Sequence, residues 1–212
     1  MSSSSLLTIV VAAGILCASC AQPFQVVKLP LRNADLFPLH HEVGEYAVAV
    51  DEITDPERAR MFFGVNLIER GIVPVNVTVS NNGAERLLVR PSDIMLRRGT
   101  AVVDPLPVER VSELAQGSRR MNRETREVVA AYFMQIAFTE TVLAPGDSYH
   151  GVLFFRGVSG EGDRFERTMF RAISLYQQGA ARLEMAVTVL DSGERIRFGP
   201  FPVTSSDLFG TL

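Results

Sequence analysis

The stretch Ile72-Val-Pro-Val-Asn-Val-Thr-Val-Ser-Asn81 decides the fold class of this chain of 212 residues. Its valines, from Val73 to Val79, occupy every second position and alternate with polar residues and Pro74. Successive side chains of a β-strand point to opposite faces, so the alternation predicts a strand with one face in a core and the other at solvent or a rim. Because Pro74 has no N–H for a sheet ladder, we expect it at the start of the strand or on an unpaired side.

Further strands are predicted on both sides of this stretch. They are expected at residues 46–50, 86–90, 94–97, 100–103, 150–155, 183–190 and 196–198. Turn-forming residues separate several of them, at 81–83, 144–147 and 191–194. The run 150–155 is apolar on both faces, which predicts a deeply buried central strand. The chain is therefore expected to be mainly β, an antiparallel β-sandwich.

A short helix is predicted after the first of these strands. Asp55 can cap it with Pro56 at the first helical position, or Thr54 and Glu57 can form a capping box. We expect this helix to end at about Phe63.

A helical insertion interrupts the strand pattern at residues 107–141. Asn122 can cap its main helix, and residues 128–139 contain no charge. The apolar residues that recur there with a helical period are Val128, Val129, Tyr132, Phe133 and Ile136.

Four arginines cluster just before this apolar run: Arg119, Arg120, Arg123 and Arg126. Three interpretations are open. The helix can pack on the sandwich with its arginines solvated, it can form a surface for a partner protein or another copy, or it can lie on a membrane with the arginines at acidic headgroups. For a partner surface, we expect these arginines together with Tyr132 and Phe133 to make the contacts, because Arg and Tyr are enriched at binding hot spots.

Two segments carry a resemblance to known proteins. Residues 62–67, Phe-Phe-Gly-Val-Asn-Leu, lead into the strand at 71–82, which has a Val-Pro-Val step and ends in Asn. Residues 143–155 join a Pro-Gly turn to an apolar strand that contains a glycine. Both resemble uncharacterised bacterial lipoproteins with an immunoglobulin-like β-sandwich. The resemblance implies that fold and a place in the cell envelope, and it brings no catalytic residues.

The N-terminus predicts export. The apolar run at 6–18 is too short to span a bilayer, which needs about 20 residues, but it fits the core of a signal peptide. The segment that ends at Cys20 resembles the lipobox of bacterial lipoproteins, with Cys17 where those proteins usually have leucine. This resemblance implies that Cys20 is lipidated and becomes the mature N-terminus. The alternative is an ordinary secretory signal with Gln22 as the first mature residue.

The chain is thus divided into a signal peptide at 1–19, a flexible tether at 20–45 and a β-sandwich domain at 46–212. Cys17 and Cys20 are the only two cysteines, so a cysteine at the cleavage boundary is best explained as an acylation site that carries palmitate or related chains. We expect a lipid anchor in the outer membrane that faces the periplasm. A soluble periplasmic or secreted protein is the alternative.

The net charge and the positions of the histidines and Ser148 disfavour several classes of function. A net charge of −3 disfavours a nucleic-acid partner. His40, His41 and His150 lack the spacing of a metal site, and Ser148 and His150 lie two residues apart on a strand without a nucleophile motif. We therefore expect no cofactor, no metal and no catalysis, but a binding or scaffold module for another envelope macromolecule. The alternatives are a hydrolase with a site assembled by the fold, and a carrier of an apolar ligand.

Overall fold

The computed structural model describes residues 24–98, 101–117, 123–156 and 181–203. The helices are α1 (Pro56–Phe63), α2 (Val108–Gln116) and α3 (Arg123–Ile136), with short 3-10 helices at Ala34–Leu36, Ile68–Arg70 and Pro91–Asp93. The strands are β1 (His40–Val43), β2 (Tyr46–Glu52), β3 (Ile72–Asn81), β4 (Leu87–Val89), β5 (Ile94–Arg98), β6 (Ala101–Val103), β7 (Thr141–Leu143), β8 (Ser148–Arg156), β9 (Ala181–Val189) and β10 (Arg195–Val203).

The strands form two antiparallel sheets that face each other. The first sheet has the order β1-β2-β3-β8. In the second sheet, β10 pairs with one edge of β9, and β4 and β5 pair with different parts of its other edge. β4 also pairs with β7, and β5 also pairs with β6. Both sheets contribute to one apolar core, in which the β3 valines pack with residues such as Leu183 and Val187 of β9. The prediction of a mainly β, sandwich-like protein is confirmed.

β3 is buried on both of its faces, not on one. Its valines point into the core between the sheets, as predicted. Its other face, with Asn76, Thr78 and Ser80, is also covered, and Asn76 is only 2% exposed. The expectation that this face meets solvent is therefore wrong. Pro74 is the third residue of the strand, and its carbonyl accepts from the Ile53 N–H just beyond the end of β2, so the expectation of a position near the strand start is met.

Two layers cover the outer face of the first sheet. At one end, the 3-10 helix Ala34–Leu36 packs on Ala47 and Ala49, and the Ala34 N–H donates to the Ser80 hydroxyl at 2.8 Å. At the other end, all three α-helices pack over Val152 and Phe154 of β8. These long-range contacts bury the polar side of β3.

The segment predicted as a flexible tether at 20–45 is largely part of the fold from residue 24 onward. It contains a buried Leu29, the 3-10 helix that covers the first sheet, and strand β1, which pairs with β2. The domain boundary therefore lies well before Tyr46.

β8 is deeply buried but not central. It is the last strand of its sheet, yet residues 151–155 are buried. Its open edge is covered by the residue just before the insertion and by chain near the insertion's end: the Leu106 N–H donates to the Phe154 carbonyl at 2.6 Å, and the Phe138 N–H donates to the Val152 carbonyl at 3.0 Å. The prediction of burial is confirmed, and the prediction of a central position is wrong.

α1 begins and ends as its sequence predicts. The Asp55 side chain accepts from the Arg58 N–H at 2.7 Å and caps the helix, with Pro56 as its first residue. Gly64 ends it in the left-handed conformation, with a φ of 68°. The insertion is helical, as predicted, but its proposed cap Asn122 lies outside the described residues.

Candidate functional site

The helical layer is joined to the first sheet by an aromatic cluster. The Phe63 ring stacks on Phe133 with centroids 6.2 Å apart, and both rings meet Phe154 of β8 edge to face, at 6.0 and 5.7 Å. All three rings are fully or almost fully buried. Pairs in these geometries stabilise a fold beyond the area that they bury.

Phe133 therefore cannot contact a partner. Its sequence pattern predicts a place on a partner-binding surface, but its exposure is 0%. That part of the prediction is wrong, because the apolar side of α3 faces the protein's own core.

Tyr132 belongs to the same packed layer. Its ring meets Phe133 edge to face, and its hydroxyl donates to the Phe62 carbonyl of α1. Burial raises the pKa of Tyr132 to about 12. Its hydroxyl is thus used to join α3 to α1.

Two of the four predicted arginines, Arg123 and Arg126, occupy the exposed side of this layer. Arg123 is 93% exposed and its Nε lies 2.8 Å from an Oε1 of Glu127, one turn along α3. The Arg126 side chain is also exposed. Arg119 and Arg120 lie outside the described residues. Val128 and Met134 of the same helix expose about half of their surface, at 51% and 54%.

The N-terminal segment is attached to the helical layer from Phe24 onward. The Phe24 ring meets Tyr132 edge to face, with centroids 5.7 Å apart, and lies directly against Gly64. The Val27 N–H donates to the Met61 carbonyl of α1 at 2.9 Å. Cys20 itself, the predicted lipidation site, lies outside the described residues. Within the described residues, no helix is long and apolar enough to cross a membrane.

The histidines and Ser148 have structural partners. The Ser148 hydroxyl bonds to Ser80 at 2.8 Å and to Asn33 at 3.1 Å, not to His150. His41 Nδ1 accepts from the Gly199 N–H at 3.0 Å and so links β1 to β10. Among the residues that the structure describes, no three His, Cys, Asp or Glu side chains come together as metal ligands.

His150 is the exception among them. It lies opposite Thr78, diagonal to Asn76, on the covered face of the first sheet. His150 Nδ1 and Asn76 Oδ1 are buried, and neither has a hydrogen-bond partner in the described structure. Burial lowers the pKa of His150 from its ordinary value of 6.5, so the ring is neutral at neutral pH.

A cavity of about 410 Å³, which is not among the predicted sites, opens on the outer face of the second sheet. Its polar lining consists of Asp93, Arg97, Glu184, Arg195 and Arg197. Its apolar lining includes Met95, Ala186 and Pro200. No Ser, Cys or His side chain lines it, so the chemistry on offer is charge and hydrogen bonding.

One signal for this cavity is present in the sequence. Arg195 and Arg197 alternate with Ile196 and Phe198, which places both arginines on one face of β10. The acidic residues come from β9 and from the turn before β5, so no local pattern connects them to the arginines.

Comparison with known proteins gives distant structural neighbours. No family model and no curated protein matches the chain. Among solved structures, it is similar to the ycdA protein of Bacillus subtilis, described as a "putative lipoprotein", with 13% identity and a TM-score of 0.40 over 80% of this chain. The match covers 40% of that protein, so this chain spans about two fifths of its length. It is also similar to the yjhA protein of Bacillus subtilis, with 10% identity and a TM-score of 0.35, over 76% of this chain and 94% of that one.

Proposed function

We propose that this chain is a lipoprotein of the bacterial cell envelope that acts as a non-catalytic binding or scaffold module, with an immunoglobulin-like sandwich held by a lipid on Cys20. The outer membrane, on its periplasmic side, is the proposed location. Two features of the sequence support this proposal: the signal-peptide pattern at 6–18 and the lone mature cysteine at the cleavage boundary.

The attachment of Phe24 to the helical layer is the observation that carries the proposal. Only residues 21–23 separate Cys20 from Phe24. The four Cα–Cα steps from Cys20 to Phe24 span at most about 14 Å when the chain is fully extended. Phe24 is fixed between Gly64 and Tyr132. A lipid on Cys20 would therefore hold α1 and α3 close to the bilayer, without the long reach of a flexible tether.

This arrangement favours binding to a partner in the same membrane. An anchor confines the domain to two dimensions and raises its effective concentration against such a partner. The sandwich adds a rigid support, since α3 is packed on it through Phe133.

The exposed side of α3 is the proposed partner surface. Arg123 and Arg126 project from it, and Arg119 and Arg120 come shortly before the helix in the sequence, separated from it by Met121 and Asn122. Val128 and Met134 supply exposed apolar surface elsewhere on the same helix. Arginine together with apolar side chains is a typical composition of an interface.

The packing between helices and sheet disfavours the alternative of an apolar-ligand carrier. A carrier needs space between α3 and the first sheet, but this region is filled by Phe63, Phe133 and Phe154.

Cross-linking in intact cells, followed by mass spectrometry, tests the proposal. We expect one or more envelope proteins to be cross-linked to the wild type, and the double variant Arg123→Ala/Arg126→Ala to lose most of that yield. Arg110→Ala is the matched control, because Arg110 forms a similar exposed ion pair, with Glu113 on α2 at 2.9 Å. Equal yields from all three proteins would contradict the partner surface.

A further inference from the structure

The cavity on the outer face of the second sheet arises from an interruption in strand pairing. β9 pairs with β5 up to Met185 and with β4 from Thr188, so the 3-10 turn Pro91–Asp93 lies opposite the two residues between them. One of these, Ala186, has only a methyl group to fill the space. The missing strand and the small side chain together leave the cavity.

Two ion pairs lie in the lining of the cavity. Arg195 of β10 reaches across β9 to Asp93, whose side chain is only 13% exposed. Arg97 of β5 pairs with Glu184 of β9 at 3.2 Å. Each carboxylate therefore already has its own guanidinium.

Arg197 is the remaining charge. It lies directly opposite Ala186 in the β9–β10 ladder, so its side chain begins beside the floor of the cavity. Within the described structure, its guanidinium has no ion pair or hydrogen bond. Three arginines against two acids leave the lining with a net charge of +1, located at Arg197.

The size of the cavity indicates more than a bare ion. Water occupies about 30 Å³ per molecule in the liquid, and a carboxylate takes on the order of twice that. Most of the 410 Å³ is then left for the rest of a ligand, beside Met95, Ala186 and Pro200. The volume lies within the range of small-molecule sites, and the lining combines five charged residues with apolar surface.

We propose that this cavity binds a small organic anion, with a carboxylate or phosphate headgroup on Arg197 and a short apolar chain over Ala186. The planar guanidinium can donate two parallel hydrogen bonds to either headgroup. This site is separate from the surface on α3 and does not depend on the lipid anchor.

Calorimetric titration of the full chain in phosphatidylcholine nanodiscs, with empty nanodiscs as the blank, tests the proposal. The probes are hexanoate and hexyl phosphate, which distinguish the two headgroups, with hexylammonium and acetate as controls for charge and chain. We expect at least one of the two anions to bind at least about tenfold more tightly than either control. Hexylammonium cannot accept the charge-assisted hydrogen bonds of Arg197, and acetate lacks the apolar chain. Equal binding of hexylammonium or of acetate would overturn the proposal.

Variants locate the site. Arg197→Ala is expected to weaken binding of the anion about tenfold or more. Ala186→Leu keeps every charge but fills the cavity, and it should weaken binding as well. Arg182→Ala is the matched control, because Arg182 is exposed on β9, outside the cavity lining, and should bind as the wild type does. Undiminished binding by Arg197→Ala and Ala186→Leu would place the anion elsewhere and overturn the assignment.

Discussion

The main chain of Phe138 crosses Gly151 so closely that a Cβ atom on Gly151 would lie 2.5 Å from the Phe138 Cα. Gly151 is buried in β8, and the segment that leaves α3 runs over it and bonds to Val152. Because the obstacle is backbone, no side chain can rotate away to make room. The close approach fixes how the helical insertion joins the edge of the first sheet.

Gly151→Ala should therefore destabilise the protein by at least about 2 kcal/mol, the cost of overpacking a site that must move its backbone. The free energy of unfolding in urea measures this. Gly117→Ala is the control, since its new Cβ would meet nothing closer than 3.4 Å and its backbone is already helical. A Gly151→Ala protein as stable as the control would show that the crossing is looser than described.

Asn81 ties three segments together at the end of β3. Its side-chain N–H groups donate to the carbonyls of Glu85, Leu143 and Ala144 at 2.8, 3.2 and 3.0 Å, and its oxygen accepts from the Gly83 N–H. Asn81→Asp would place a carboxylate oxygen against three carbonyls in a site with 0% exposure.

We expect Asn81→Asp to lose about 3 kcal/mol or more of the free energy of unfolding, because several buried acceptors lose their donor and a charge is buried. The neighbouring Asn82→Asp is the control, since Asn82 is exposed and should change stability little. Thermal unfolding of both variants gives the comparison. Similar losses in both would contradict the role of Asn81.

Because of His150, we expect the free energy of unfolding to fall in mild acid. In the unfolded chain it binds a proton near pH 6.5, whereas burial lowers its pKa in the fold. Between these two pKa values the unfolded chain binds more protons, so the free energy of unfolding falls as the pH falls below 6.5. His150→Gln cannot take up the proton and should show a flatter dependence in urea unfolding. His40 and His41 remain in both proteins, so parallel curves would refute the assignment to His150.

Because of Tyr132, we expect the free energy of unfolding to fall in alkali. Its pKa is raised from 10.0 to about 12, so between these values the unfolded chain releases a proton that the fold retains. The free energy of unfolding should fall as the pH rises through this window. Tyr132→Phe should weaken that dependence, leaving the part that comes from Tyr46, whose pKa is also raised by burial and nearby carboxylates. It should also lose about 1 kcal/mol with the bond to the Phe62 carbonyl. In phenolate absorbance of the folded protein, the variant should lose a tyrosine that titrates near pH 12, and an unchanged titration there would contradict the assignment.

The local elements could be predicted from the sequence because their signals are local. The alternation of valines fixes β3, and Asp55 with Pro56 fixes the start of α1. Covering of the polar side of β3 could not be predicted, since it depends on contacts such as Ala34 with Ser80, 46 positions apart. Prolines at 23, 30 and 38 predict a tether, yet the described residues from 24 onward, around Pro30 and Pro38, dock on the sandwich.

In the candidate site, too, the local features could be predicted from the sequence and the long-range contacts could not. The helical period shows that α3 has an apolar side, but it does not say whether that side meets a partner or the protein's own sheet. Phe63 and Phe154, which bury Phe133, come from elements far apart in the chain. The cavity beside Arg197 likewise needs a gap in strand pairing that no local pattern records.

The most direct test of a membrane-anchored module is incorporation of radiolabelled palmitate in growing bacterial cells. We predict label in the wild-type protein and in Cys17→Ser, and its loss in Cys20→Ser together with release from the membrane fraction. A wild type without label, or a Cys20→Ser protein that is labelled and fractionates as the wild type does, would contradict the account.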